Sequence, residues 1–148
     1  MTPGKYHPAL VALHWLLAVL ILFAWGVGAL ALEEMPNASP DKIAPLRVHM
    51  VVGAAILLLT LVRLVVRFST RRPPPVITGR PLLDRVAVHA HYGLYALVIL
   101  MAASGFATAL AAGLPDIVFG GSGKPLPESF AAYPARTVHG IVGSVRCV

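Results

Sequence analysis

Charge is what this sequence has least of. Of its 148 residues 12% are charged, with 12 Lys and Arg against 6 Asp and Glu, where a soluble domain has about a quarter. A water-exposed globule of this composition would lack the polar residues to cover itself. Cysteine is scarce as well. Cys147 is the only one, which excludes a disulfide scaffold. The shortage of charge also excludes a disordered chain and a coiled coil, which depend on charged residues for solvation. What is present is apolar: 57% of the residues before the 13 glycines are added, against ~45–50% with glycine in soluble domains. The composition is that of an integral membrane protein, and the length makes a single domain, 1–148, the expectation.

The charge-free runs locate the spans. None of Asp, Glu, Lys or Arg occurs from Tyr6 to Leu32, from Val48 to Val62, or from Val86 to Pro115. The second run extends to Phe68 if Arg63 and Arg67 snorkel to the interface. Each is long enough to cover the ~30 Å hydrocarbon core as a helix of about 20 residues. Nothing alternates polar with apolar as barrel strands do. The sequence predicts transmembrane helices near 8–32, 46–68 and 84–112. A signal peptide over the first run is the weaker reading, because its apolar core far exceeds the usual ~7–15 residues.

A fourth helical segment starts near Pro134 and is charge-free from Thr137 to Val145. Only about 18 Å of helix fits between Thr137 and Val148 at ~1.5 Å per residue, roughly half a bilayer core. Either this segment, 134–148, does not span or the protein is longer. The reading taken is truncation, as a fragment or a frameshifted product. The expected fold is all-α: a four-helix membrane bundle with three complete spans and an incomplete fourth.

Orientation follows from loop charge. Arg63, Arg67, Arg71, Arg72, Arg80 and Arg85 are opposed by Asp84 alone. The positive-inside rule puts the 69–83 loop in the cytoplasm, with Lys5 and the N-terminus beside it. Because the basic residues follow membrane topology, they form no nucleic-acid-binding domain. Pro73-Pro74-Pro75 makes the same loop a stiff linker.

All six acids lie in loops or at span ends, which argues against ion carriers, whose carboxylates sit at mid-membrane. No phosphate-cradling glycine loop, zinc helix or nucleophile elbow occurs. Histidine is the ionisable residue left in the spans, where it marks a functional site by default. His14, His49, His89, His91 and His139 each stand near the start of a helix. Successive spans reverse direction, so His14 and His89/His91 share the cytoplasmic side and His49 and His139 the other. Two such layers are what two bis-histidine haems stacked across a bilayer require, since paired imidazoles leave haem iron no open site and favour electron transfer. Gly53 and Gly143 lie one turn beyond His49 and His139 on the same helix face, and Ala18 stands in that relation to His14. Small residues there let a flat ring approach the backbone, although they also serve ordinary helix packing. His7, before Pro8, is expected to face solvent. His89 and His91 are ~200° apart on a helix, so one of them at most faces a given haem.

Tyr6…Leu13-His14-Trp15-Leu16, Arg47-Val48-His49-Met50-Val51-Val52-Gly53, Leu61-Val62-Arg63-Leu64-Val65-Val66-Arg67, His91-Tyr92-Gly93-Leu94-Tyr95 with Ser104-Gly105, and Thr137-Val138-His139-Gly140 resemble, in this order, the prokaryotic cytochrome b561 family. The resemblance covers Tyr6 to about Gly143. It implies a four-helix bundle with haem b, moving electrons between quinol or quinone and another acceptor in the bacterial inner membrane. It carries over His14, His49, His91 and His139 as axial ligands to haem iron, with His49 and His139 the pair on the periplasmic side. His91 is preferred to His89 by the family's His-x-x-x-Tyr pattern, met by His91 and Tyr95. The family has two haems and a further span-four histidine about fourteen residues past the first, beyond Val148. This histidine is a competing partner for His14 that would leave His91 a quinone-side or packing role, so the chain as given is expected to hold one haem or none. Partners implied are the lipid bilayer, quinone, and a dehydrogenase, hydrogenase or periplasmic redox protein. Arg63 and Arg67 either anchor the helix by the positive-inside rule or pair with a haem propionate or quinone headgroup. The competing readings are a haem-free histidine protein, such as a metal transporter or small structural subunit, and a non-functional fragment.

Overall fold

The computed structural model describes residues 6–70 and 79–144. Lys5, Arg71, Arg72, Pro73-Pro74-Pro75, and Arg146 and Cys147 lie outside the described residues. Helix α1 runs from Pro8 to Val27 and continues through a π turn, Gly28–Leu32. A 3-10 turn at Pro40–Lys42 leads into α2, Ile43–Ser69. Helix α3 spans Pro81–Ala111, a short α4 spans Leu114–Val118, and α5 spans Pro134–Ser144. No strand occurs among the described residues.

Proline stands in the first turn of α1, α3, α4 and α5, and Pro40 opens the turn that precedes α2. Its missing N–H costs nothing in a first turn, and its fixed φ suits the helix. His7, expected to face solvent, is exposed. Its Nδ1 accepts from the Ala9 amide at 3.3 Å, capping α1. Helix α3 stops at Gly113, whose φ of 63° is left-handed; this conformation favours glycine and ends helices.

Three helical stretches, Pro8–Leu32, Pro40–Ser69 and Asp84–Ala111, are long and apolar enough to cross a membrane. They match the three expected spans. The second begins earlier than its charge-free run because Arg47 sits inside the first turns of α2, its guanidinium bonded to the last carbonyl of α4. Helix α5 starts at Pro134 as expected, and its described part has 11 residues.

Helix α1 packs on α2, α2 on α3, and α3 on α5. Leu17, Ala24 and Ile56 form the buried centre of the first three helices, flanked by Val52, Leu59 and Val98. Many large apolar side chains point outward instead, among them Leu22, Leu58, Val65, Leu94 and Leu110. Such continuous apolar exposure is untenable in water and fits helices covered by lipid.

One end of the bundle carries a cap that the sequence did not announce. Leu114 and Val118 of α4 join Leu46, Ala109, Ala112 and Leu126 in a second core. Arg47 fastens it: Nε and Nη2 donate to the Val118 carbonyl at 3.0 and 2.5 Å, and the guanidinium lies 5.8 Å from the Phe119 ring centroid. At the opposite end, Arg63 donates to the Tyr95 hydroxyl at 2.9 Å and to the Leu10 carbonyl, tying α2 to α3 and α1. Arg67 lies 5.8 and 5.9 Å from the rings of Tyr92 and Tyr95.

Candidate functional site

The packing of α2 and α5 against their neighbours brings His49 and His139 together. Their ring centroids are 6.0 Å apart with planes at 79°. Both residues are half-buried, and both line a cavity of about 1100 Å³ between α1, α2, α3 and α5. That is at the upper limit of ordinary small-molecule pockets, which hold ~300–1,000 Å³.

Each imidazole is held by the helix it packs against. His49 Nδ1 lies 3.1 Å from the Ala24 carbonyl oxygen of α1. His139 Nδ1 lies 2.9 Å from the Met101 carbonyl oxygen of α3, with the Ser104 hydroxyl at 3.3 Å. A carbonyl can only accept, so Nδ1 carries the proton in both rings. Nε2 is then the nitrogen with a lone pair, the tautomer in which histidine binds a metal.

The carbonyls are accessible because glycine follows each by one turn. Ala24 precedes Gly28 and Met101 precedes Gly105 by four residues, so the ring lies over bare backbone at the carbonyl it uses. A Cβ on Gly28 would stand 3.4 Å from His49 Cε1, and one on Gly105 would stand 3.0 Å from His139 Cε1. Gly28 also opens the π turn, and its N–H is shared between the Ala24 and Trp25 carbonyls. Such local widenings of a helix recur at functional sites. Gly53 and Gly143, one turn beyond the histidines, line the small cleft shared by both rings.

Neither His14 nor His91 lines these cavities. His14 is exposed on α1, its ring 5.6 Å from that of Trp15. His91 is exposed on α3. His89 Nδ1 approaches the Arg85 carbonyl of its own helix at 2.7 Å. Among the described residues no three His, Cys, Asp or Glu side chains gather as a metal cage. Sequence reasoning had noted Gly53, Gly143 and Ser104-Gly105 but not Gly28, nor the Ala24 and Met101 carbonyls. It also passed over Lys42 and Arg136, which line the larger cavity. Their only signal was position: each precedes a histidine by seven or three residues, on its helix face.

Residues 5–147 match the family model described as prokaryotic cytochrome b561. A probable superoxide oxidase CybB of Yersinia pestis is 28% identical over 118 residues, 78% of this chain and 64% of the relative. A cytochrome b562 of Cereibacter sphaeroides is 36% identical over 107 residues, 70% of this chain and 65% of the relative. Cytochrome b561 homolog 2 of Escherichia coli is 27% identical over 124 residues, 80% and 63% respectively. The chain thus spans slightly less than two thirds of these relatives' length. No solved structure matches. With its family model covering nearly every residue and its spans where that family's motifs fall, the chain belongs to the prokaryotic cytochrome b561 family, whose b-type cytochromes imply haem b.

Proposed function

We propose that the chain is a haem b electron-transfer protein of the inner membrane, with His49 and His139 as the two axial ligands of one haem. The observation that carries this reading is the edge-on imidazole pair at 6.0 Å. Two imidazoles bonded to one metal ion at ~2 Å each put their ring centroids about 6 Å apart. A donor set of two falls short of the three or four protein ligands that a zinc site has. It suits an iron that brings its own four equatorial nitrogens. The adjoining cavity of about 1100 Å³ gives a macrocycle room.

When bound, haem supplies a one-electron couple. The chain's own part is to fix the ligands. The Ala24 and Met101 carbonyls hold the Nδ1 protons, which makes Nε2 the basic nitrogen and raises its strength as a donor. The apolar walls, among them Ile21, Ile56, Val98 and Met101, keep water from the pair. Held by His49 and His139, the iron would keep no open site, which would favour electron transfer over oxygen binding. His14 and His91 belong to the same reading as ligands or quinone-side groups nearer the other end of the bundle, supported by position and family motif alone. Quinol or quinone and a second redox protein are the proposed electron partners, on the family resemblance.

The protein purified from haem-replete cells should show a reduced-minus-oxidised haem b spectrum. His49→Ala and His139→Ala should each abolish the same haem signal. Loss in one variant only would break the pairing, and a colourless but folded wild-type preparation would sink the haem reading.

A further inference from the structure

Lys42 is 6% exposed, an unusual place for an ammonium group. Its Nζ donates to the Met35 carbonyl at 2.6 Å and to Asn37 Oδ1 at 2.8 Å. Both acceptors are neutral, and among the described residues Lys42 enters no ion pair. A buried cation is costly unless an anion compensates it. An ammonium has three donors, and these two bonds use two. The residue lines the cavity that contains His49 and His139.

Arg136 lines the same cavity and lies within coulombic reach of both Lys42 and His49. Its Nη1 would stand 2.7 Å from a Cβ on Gly140, so the guanidinium lies along α5 over bare backbone beside His139. Its Nη2 is 3.6 Å from Glu33, whose side chain is largely exposed. Glu33 and Glu128 also line the cavity, but at exposed positions where solvent screens them. Lys42 precedes His49 by seven residues and Arg136 precedes His139 by three. Both spacings keep cation and imidazole near one helix face, with the cations displaced toward the N-termini. The partial positive charge of those two helix ends acts in the same direction.

From this convergence we infer that Lys42 and Arg136 form an anion cradle at one edge of the cavity, for the two propionate carboxylates of the haem held by His49 and His139. The assignment rests on that haem reading and goes beyond it by naming which end of the cavity takes the acidic edge. Asn37 makes the cradle rigid: its Nδ2 donates to the Pro127 carbonyl at 2.7 Å and the Glu128 carbonyl at 3.3 Å. Lys42 is thereby fixed before any ligand arrives.

The test compares haem b with its dimethyl ester, titrated into detergent-solubilised apoprotein and read as the bis-imidazole absorption band. The wild type should bind the diacid tighter by at least about tenfold, as expected for charge-assisted hydrogen bonds. In the Lys42→Met, Arg136→Gln double variant the ratio should fall close to one, with the band itself unchanged. With Arg136→Gln kept, Lys42→Arg in place of Lys42→Met should restore part of the preference. Equal affinity of the wild type for acid and ester, both giving the band, would overturn the cradle and leave the ligand pair intact. An unchanged ratio in the double variant would also overturn it. Should neither porphyrin give the band in the wild type, the ligand assignment fails and the cradle with it. The wild-type ratio needs no variant to fold.

Discussion

Gly105 offers a sharp perturbation of the proposed ligand pair, His49 and His139. A Cβ there would stand 3.0 Å from His139 Cε1 and 3.2 Å from Nδ1, about half an ångström inside the usual ~3.5–4.0 Å contact. With haem bound the ring would have little freedom to yield. Retreat from α3 lengthens the 2.9 Å bond to the Met101 carbonyl and, with haem bound, pulls against the iron. In the apoprotein the ring can swing aside, so the overlap falls mainly on the bound state. Overpacking of this kind costs ~1–3 kcal/mol, or roughly 5- to 150-fold in affinity. Alanine's better helix propensity, ~1 kcal/mol over glycine, is present with and without haem and cancels. Gly28→Ala is the matched control, its Cβ 3.4 Å from His49 Cε1, an ordinary contact beside a ring over a looser π turn. Haem titration of both variants should therefore give a clear loss for Gly105→Ala and little change for Gly28→Ala. Wild-type affinity in Gly105→Ala, or equal losses in the two, would refute the close packing of His139 on bare backbone.

Two further substitutions probe the cap on the site. Arg47→Met removes both hydrogen bonds to the Val118 carbonyl and the contact over Phe119; it should lower stability by about 1–3 kcal/mol, seen as earlier thermal unfolding in detergent with haem stoichiometry kept. Gly113→Ala forces a side chain into a φ of 63° and should cost on the order of 1 kcal/mol, also read by thermal unfolding; no change would mean that the turn relaxes without strain.

How much of this was legible follows from what each feature depends on. The spans could be read because lipid acts on every residue of a helix, so absence of charge over 20 residues is a strong local signal. His49 and His139 could be read because an ionisable side chain in such a run needs a reason. The cap of α4 was not legible: Leu114, Val118 and Leu126 owe their burial to Leu46, far off in sequence, and to the turn at Gly113 that folds α4 back toward Ala109. Gly28 was missed because glycine in a membrane helix is common, and its use depends on a ring supplied by α2. Lys42 carries no sequence signal beyond its charge and its spacing from His49. Its burial comes from the fold of residues 35–42 around it, which no periodicity reports.

The geometry has an internal logic that the four helices share in pairs. Helices α1 and α2 form one hairpin, and α3 and α5 pack as the equivalent pair. In each, the first helix supplies a carbonyl followed by glycine four residues on, Ala24 with Gly28 and Met101 with Gly105. The second supplies a histidine followed by glycine at the same interval, His49 with Gly53 and His139 with Gly143. A helix carbonyl already bonded within its helix retains a second lone pair, and glycine in the next turn leaves room for a ring from a neighbouring helix to reach it. Glycine four residues on is thus what turns a helix wall into a histidine clasp. The two clasps differ in tightness, 3.0 against 3.4 Å, so the His139 ring is the more closely confined and the His49 ring the freer. The looser clasp is also the one joined to the cation: from the π turn at Gly28–Leu32 the chain runs directly to Met35, whose carbonyl holds Lys42. The acceptor for His49 and the acceptor for Lys42 thus lie on one stretch of chain, at Ala24 and Met35.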